Sequence, residues 1–463
     1  MSAQSAQEFD LIIIGTGSGN SIPGPEFENK RIAMIEKGRF GGTCLNVGCI
    51  PTKMFVYAAE VAQTVRDAAK WNVDANFEQI QWQELQKRVF NDRIDRIAEG
   101  GEEYRRGPET PNITVFDQPA KFIGNHRILT GQGDVPVEIT APEIILAVGS
   151  RPRIPAVITE SGIAYHTNED IMRLPELPKS LLIYGGGYIA AEFAHIFAAF
   201  GVEVSLIARS ELLLRHQDHD IAQRFTKLTE ESAIHTYLGA EIIHASQDDT
   251  GVHVSLSDGR EVSGAAILIA TGRIPNGDQL GLDSTNVELV DGRIKVDEFG
   301  RTTAPGIWAL GDCSSPYQLK HVANAEMRAV RHNLLHPHEL QVMPHKHVPA
   351  AVFTQPQIAS VGLTEEQARE ENLDYTVATQ QYGDVAYGWA MADSEHFAKL
   401  IANRKSGQLL GVHIIGPQAA TLIQQCITAM VYELDMRDFA RKQYWIHPAL
   451  PELIENAVLN LEF

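Results

Sequence analysis

Phe9-Asp-Leu-Ile-Ile-Ile-Gly15-Thr-Gly17-Ser-Gly19-Asn20 is an apolar run that breaks into a glycine turn, and its reading decides the fold. Residues 9–15 read as a short buried strand running into that turn. Gly15 and Gly17 let the chain turn tightly and let backbone N–H groups approach a pyrophosphate at a helix start. A second apolar strand reads at 32–36, and Glu36 stands 21 residues after Gly15, where a carboxylate grips a ribose diol. The fingerprint has one departure. Asn20 replaces its third glycine, and Pro23, Gly24 and Pro25 interrupt the helix that normally follows.

The pattern then recurs. A strand at 180–184 leads into Gly185-Gly-Gly187-Tyr188-Ile-Ala190, which fits the G-x-G-x-x-A form, and helical apolar spacing runs on to Gly201. The next strand, Val-Glu-Val-Ser-Leu-Ile-Ala208-Arg209, has no acid at its end. Arg209 and Arg215 stand there instead. Guanidinium groups bind a phosphate dianion in bidentate fashion, so the 2′-phosphate of NADPH is expected in place of NAD. Two solvated surface arginines would give the same pattern. Residues 265–272, ending in Gly272, echo 143–150, and a proline cluster at 151–155 marks a crossing between the two units. The expected fold is α/β, with one nucleotide unit inserted in the other. The expected boundaries are 1–150 for the first nucleotide domain, 151–275 for the second, 276–345 for a segment completing the first, and 346–463 for a C-terminal α+β domain.

Composition agrees with a folded protein that avoids polyanions. Apolar residues make up 44% of 463, and Lys+Arg 39 against Asp+Glu 59 gives a net charge of −20, which repels nucleic acid and anionic lipid. No stretch approaches the roughly 18 apolar residues of a membrane span, and the opening residues lack the basic, apolar pattern of a signal peptide. A cytoplasmic location is therefore expected. Four cysteines in such a chain are no disulfide scaffold, so a disulfide here is expected to be catalytic rather than structural.

Cys44-Leu-Asn-Val-Gly-Cys49 supplies the candidates, since four intervening residues can close a small loop. Cys49 precedes Ile50-Pro51, and the prolines predict a helix from about Pro51 running through Ala58–Ala69. A thiol at a helix N-terminus has its thiolate stabilised by the dipole. Zinc is a poor alternative, because no four-ligand set surrounds the pair, and no metal site is expected. Cys313 and Cys426 read as packing residues. Near the C-terminus His447 is followed by Glu452, a possible base with its orienting carboxylate, although many His–Glu spacings carry no meaning.

Taken together, the segments GGTCLNVGCIPTK, GGGYIAAEFA, ATGRIPN, IWALGDCS and IHPALPE, in this order, resemble the class I pyridine nucleotide–disulfide oxidoreductases over nearly the whole chain. The resemblance implies two Rossmann-like domains for FAD and NADPH and a C-terminal dimerisation domain. It implies that Cys49 is the charge-transfer thiolate facing FAD and Cys44 the interchange thiol that attacks the substrate. Gly15, Gly17, Glu36, Thr43, Lys53 and Asp312 would hold FAD, with Asp312 on the ribityl chain. Gly185, Gly187, Tyr188, Ala190, Arg209, Arg215 and Gly272 would serve NADPH, with Tyr188 covering the nicotinamide. Glu192 would pair with Lys53 near the flavin edge. His447, oriented by Glu452, would protonate the leaving thiolate across a homodimer whose active site is shared between subunits. It also implies a cis bond before Pro448.

Within the family the chain is most similar to the branch that reduces mycothiol disulfide, through Gly15–Asn20, MFVYAAEVA, YGDVAYGWA and QYWIHPALPE. A reductase of another small disulfide, or a dihydrolipoamide-type dehydrogenase, is the alternative. Lipoamide dehydrogenases carry an acid near position 208, and mercuric and large thioredoxin reductases need a second redox pair in a tail that here reads NAVLNLEF. A glutathione site needs cations for two carboxylates, and residues 20–29 offer only Glu26 and Glu28 before the chain reaches Lys30. Tyr382, Tyr387 and Trp389 are candidates for stacking on a sugar, or equally for an interface between subunits.

Overall fold

The computed structural model describes residues 6–463. The chain divides into two compact units, the first built from residues up to Met54, Gln83–Arg153 and Arg273–His345, the second from Phe55–Trp82, Ile154–Gly272 and Lys346–Phe463.

The first unit centres on a five-stranded parallel sheet in the order Ile307–Ala309, Glu143–Leu146, Leu11–Ile14, Ile32–Ile35, Ile113–Phe116. The uniformly apolar strands follow from burial on both faces: Ile12 and Ile14 join one core, Leu11 and Ile13 the other. Each fully buried isoleucine contributes roughly 1.5–3 kcal/mol relative to exposure. Between the first two strands the chain forms two short 3₁₀ turns, Gly19–Ser21 and Pro25–Phe27, in place of a helix. Pro23 and Pro25 offer no N–H to a helical ladder. Asn20 is held instead by Arg105, whose Nε donates to Asn20 Oδ1 at 2.8 Å and Nη2 to Asn20 O at 2.6 Å. Burial pushes that guanidinium below its ordinary range.

The helix after the cysteine loop begins at Cys49 and runs to Asp67, earlier than the prolines suggested. Gly48 O accepts from Thr52 N at 3.1 Å and from Thr52 Oγ1 at 2.8 Å, so the first helical bond spans Pro51, which sits in the first turn where its missing N–H costs nothing. Strands Ser150–Pro152 and Arg273–Pro275 pair antiparallel, so the chain leaves this unit and returns to it along adjacent lines.

The second unit contains a four-stranded parallel sheet, His235–Leu238, Glu203–Ala208, Ser180–Tyr184, Ala266–Ile269. Helix Tyr188–Ala199 follows its central strand, with Ala190, Ala191, Ala194 and Phe197 buried. The unit also holds a five-stranded antiparallel sheet, Pro349–Val352, Ile358–Gly362, Leu409–Ile415, Phe397–Asn403, Tyr375–Gln381, covered by helices Ala419–Val431 and Glu452–Leu459. Both parallel sheets with their helices are Rossmann-like, and the last sheet forms an α+β layer.

One polar cluster lies inside this second unit. Lys399, with its side chain 3% exposed, places Nζ 3.0 Å from Asp218, 2.7 Å from Asp220 and 2.7 Å from Glu365. Asp218 caps helix His219–Glu230 by accepting from Asp220 N. Burial alone would lower the lysine's pKa, but the hydrogen bonds it donates to three carboxylates outweigh it and raise the value. His413, directly opposite Lys399 across the strand pair, is pushed down by burial. Among the described residues no helix is long and apolar enough to cross a membrane.

Candidate active site

Gly15 adopts φ +100°, and a Cβ there would lie 2.3 Å from Ala147 O, so the turn at the end of the first strand excludes any side chain. A Cβ at Gly17 would meet nothing nearer than 3.9 Å, which leaves the backbone open to a ligand from that side. Glu36, at the end of the neighbouring strand, is fixed at both oxygens. Thr16 donates to Oε2 through N at 2.9 Å and Oγ1 at 2.8 Å, and Gly38 N donates to Oε1 at 2.9 Å. A closed-off backbone turn beside a pre-oriented carboxylate suits the pyrophosphate and ribose of FAD.

The short helix Gly42–Asn46 carries Thr43 and Cys44, and Cys49 is the first residue of the next helix. Lys53 lies one turn further along it. Asn46 ties the loop down, Nδ2 donating to Phe40 O at 2.8 Å and to Gly42 O at 3.1 Å. Cys44 is half-buried and Cys49 exposed. A hydrogen bond to Cys49 is the main cause that pushes the Cys44 thiol far up, with burial second. Cys49 stands at the positive end of a 19-residue helix, a position that stabilises a thiolate. Cys313 and Cys426 differ sharply. Both are fully buried, and burial pushes each thiol up to about 12.

Asp312 lies in the turn Gly311–Cys313 after the edge strand of the first sheet. Ser150 Oγ donates to its Oδ2 at 2.6 Å, and Arg273 Nε donates to that hydroxyl at 2.8 Å. Ser150 and Arg273 come from the two paired crossing strands. The carboxylate is thus held from the place where the chain leaves and re-enters the unit.

In the second unit the turn repeats. Gly185 has φ +146° and its Cβ would lie 2.2 Å from Ala270 O, while a Cβ at Gly187 would meet nothing within 4 Å. Tyr188, 42% exposed, opens helix Tyr188–Ala199, and Ala190 packs it on the sheet. Gly272, at φ +117°, turns the chain after the strand that Ala270 follows. Glu192 is buried, its Oε1 accepting from Phe353 N at 2.9 Å. Arg209 and Arg215 are both exposed, and Arg209 reaches Glu241 at a loose 3.9 Å. An open glycine turn with exposed guanidinium groups after the second strand suits NADPH with its 2′-phosphate.

His447 Nδ1 lies 2.7 Å from Glu452 Oε1, and Ala449 N donates to Glu452 Oε2 at 3.2 Å. The hydrogen bond to His447 holds Glu452 below its ordinary value. A carboxylate on Nδ1 leaves Nε2 to handle a proton, and the imidazole is 69% exposed. The peptide before Pro448 is cis. Of the three aromatics, Tyr382 is fully buried and donates to Pro417 O at 2.9 Å, so it is core and cannot stack on a sugar. Tyr387 and Trp389 are exposed.

Sequence reasoning passed over Thr16, Ser150 and Arg273, whose partners lie 20, 162 and 123 residues away. Thr16 alone had a signal, as the residue inside the first glycine turn. Among the described residues no group of three or more His, Cys, Asp or Glu side chains could hold a metal.

Comparison with known proteins fits this geometry. Residues 9–329 match the model of the pyridine nucleotide-disulphide oxidoreductases, and residues 348–458 that of their dimerisation domain. The chain is 50% identical to the mycothione reductase of Mycobacterium tuberculosis strain H37Rv, over 98% of this chain and 100% of the relative. It is 33% identical to the glutathione reductase of Burkholderia cepacia, over 96% and 97%. The HOCl-induced flavoprotein disulfide reductase RclA of Escherichia coli superposes with a TM-score of 0.85 at 28% identity, over 97% of this chain and 99% of that one. Matched by both models and sharing half its residues with a relative along 98% of its length, the chain belongs to the pyridine nucleotide-disulphide oxidoreductases, flavoenzymes that use FAD and NADPH to reduce disulfides.

Proposed function

We propose that the chain reduces mycothiol disulfide: NADPH + H⁺ + disulfide → NADP⁺ + two thiols. The observation that carries this reading is the 50% identity, end to end, with a protein named mycothione reductase. The domain reading proposed with it has 1–150 and 276–345 serving FAD, 151–275 serving NADPH and 346–463 forming the dimer. Bound FAD would supply the conversion of a hydride from NADPH into an electron pair for the cysteines.

The remaining chemistry belongs to the chain's own groups. His447 of the other subunit takes the proton of Cys44 as that sulfur attacks one sulfur of the substrate to form a mixed disulfide, and it returns the proton to the thiolate that leaves. Cys49 then attacks Cys44, releasing the second thiol and restoring the Cys44–Cys49 bond. The place of Cys49 at a helix N-terminus supports its role as the thiolate of the pair. Lys53 and Glu192 are assigned to the flavin edge, Arg209 and Arg215 to the 2′-phosphate.

Substrate choice is argued from charge. Mycothiol has sugar hydroxyls in place of glutathione's two carboxylates. The shortened segment at 20–29 brings two acids, of which Glu26 is already engaged by Arg331. Steady-state assays with NADPH should show mycothiol disulfide used at least about a hundredfold better than glutathione disulfide, a gap of about 2.7 kcal/mol. Equal use of the two would leave only the family assignment standing.

A further inference from the structure

The mechanism leaves one fully buried acid unused. Glu326, on helix Lys320–Leu335 of the first unit, is 0% exposed, yet both its oxygens are engaged. Oε2 accepts from Gly311 N at 2.7 Å, and Oε1 lies 2.6 Å from His345 Nε2. A carboxylate only accepts, so His345 donates from Nε2. The imidazole is seated against Tyr317, ring centroids 5.4 Å apart and planes at 60°.

What this acid grips is the residue before Asp312. The strand ladder runs through Leu310, whose N–H donates to Leu146 O. Gly311 then turns to φ +71°, which takes its own N–H out of the ladder. Glu326 receives that N–H, while Gly311 O accepts from Ser314 N and Ser315 N at 2.9 and 2.8 Å. Gly311, the residue in front of Asp312, is thereby held at both its N–H and its C=O. Ser150 and Arg273 act on the carboxylate of Asp312; Glu326 acts on the backbone of Gly311, the residue before it.

We propose that Glu326, oriented by His345, is a positioning residue for FAD, setting the Gly311–Asp312 turn on which the flavin's ribityl chain is held. The inference rests on the assignment of Asp312 to FAD. Without an acceptor the Gly311 N–H would be a buried donor with no partner, and the turn would relax to find one. Glutamine can replace glutamate here. Its carbonyl accepts from Gly311, and its amide donates to His345 in the other tautomer.

The test is FAD titration of the full-length apoprotein, read by flavin fluorescence and visible circular dichroism, for Glu326→Leu, Glu326→Gln, His345→Phe and Asp312→Ala. Glu326→Leu is expected to weaken FAD by tenfold or more and alter the dichroism of what binds, with Glu326→Gln within threefold of the parent. His345→Phe should fall between, and it decides the matter if Glu326→Leu does not fold. Equal affinities for the leucine and glutamine variants, or His345→Phe indistinguishable from the parent, would overturn the proposal. If Asp312→Ala binds FAD normally, the flavin assignment of the turn fails and this inference with it. A weakened Asp312→Ala beside a normal Glu326→Leu sinks the inference alone.

Discussion

Replacing Lys399 by methionine should loosen the C-terminal sheet, by less than its three ion pairs suggest. Removing one partner of a buried ion pair usually costs about 3–5 kcal/mol. Here three carboxylates lose their cation, but they are not equal. Asp220 is 50% exposed and Glu365 23%, so water can reach both, whereas Asp218 is 1% exposed. Asp218 also keeps two N–H donors, from Glu365 and Asp220, each at 3.1 Å. Only one carboxylate bears the full penalty, and it is partly compensated, which brings the cost to about 2–3 kcal/mol. Native-state hydrogen exchange reads this locally. Protection of the amides in Phe397–Asn403 and Leu409–Ile415 should fall about 30- to 150-fold, at 1.36 kcal/mol per decade. Adding Asp218→Asn, which removes the stranded charge, should recover about half. Protection within threefold of the parent would refute the reasoning. The pH signs follow from the same groups. Lys399 is raised, so its contribution is complete below its ordinary 10.5 and is lost as pH climbs through the folded value. Asp218 and Glu365 are lowered, so theirs is complete above the ordinary 3.8 and 4.5 and is lost as pH falls through the folded values.

Cys44→Ser should abolish disulfide reduction while keeping a long-wavelength thiolate–flavin absorbance, and Cys49→Ser should lose that band; reductase activity within tenfold of the parent in both would refute the pair. Neutralising Arg209 and Arg215 together should weaken NADPH relative to NADH by roughly 2–3 kcal/mol, two charge-assisted contacts discounted for exposure, read from kcat/KM with each coenzyme. His447→Ala should leave flavin reduction by NADPH intact in stopped-flow traces and slow thiol release by about 10²–10⁴-fold. Equal damage to both half-reactions would make the histidine structural.

The parts of the fold that could be read in advance are those written locally. Leu11–Ile14 and Ser180–Tyr184 are apolar without interruption because their sheets bury both faces, and the glycine turns follow because a Cβ would strike backbone. His447 and Glu452 lie five residues apart, so their pairing was visible too. Groups that meet only after folding were not. Lys399 lies 181 residues from Asp218, and Ser150 lies 162 from Asp312. Each residue alone is an ordinary polar side chain, and nothing in its neighbours along the chain marks it as buried. Tyr382 failed in the other direction. An aromatic beside two others reads the same on a surface as in a core, and here its hydroxyl finds Pro417 O inside.

The strand order of the first sheet also has a consequence for synthesis. Glu143–Leu146 pairs on one side with Leu11–Ile14 and on the other with Ile307–Ala309. Ribosomes add about 5–20 residues per second, so roughly 8–32 seconds pass between the synthesis of Leu146 and that of Ile307. During that interval a strand apolar after Glu143 presents an open edge, the kind of template that recruits other chains. The inserted segment Ile154–Gly272 is made in just this window. Its length therefore sets how long the nascent protein must be shielded, and a cell growing in the cold, with slower elongation, would lengthen that exposure without any change in the finished molecule.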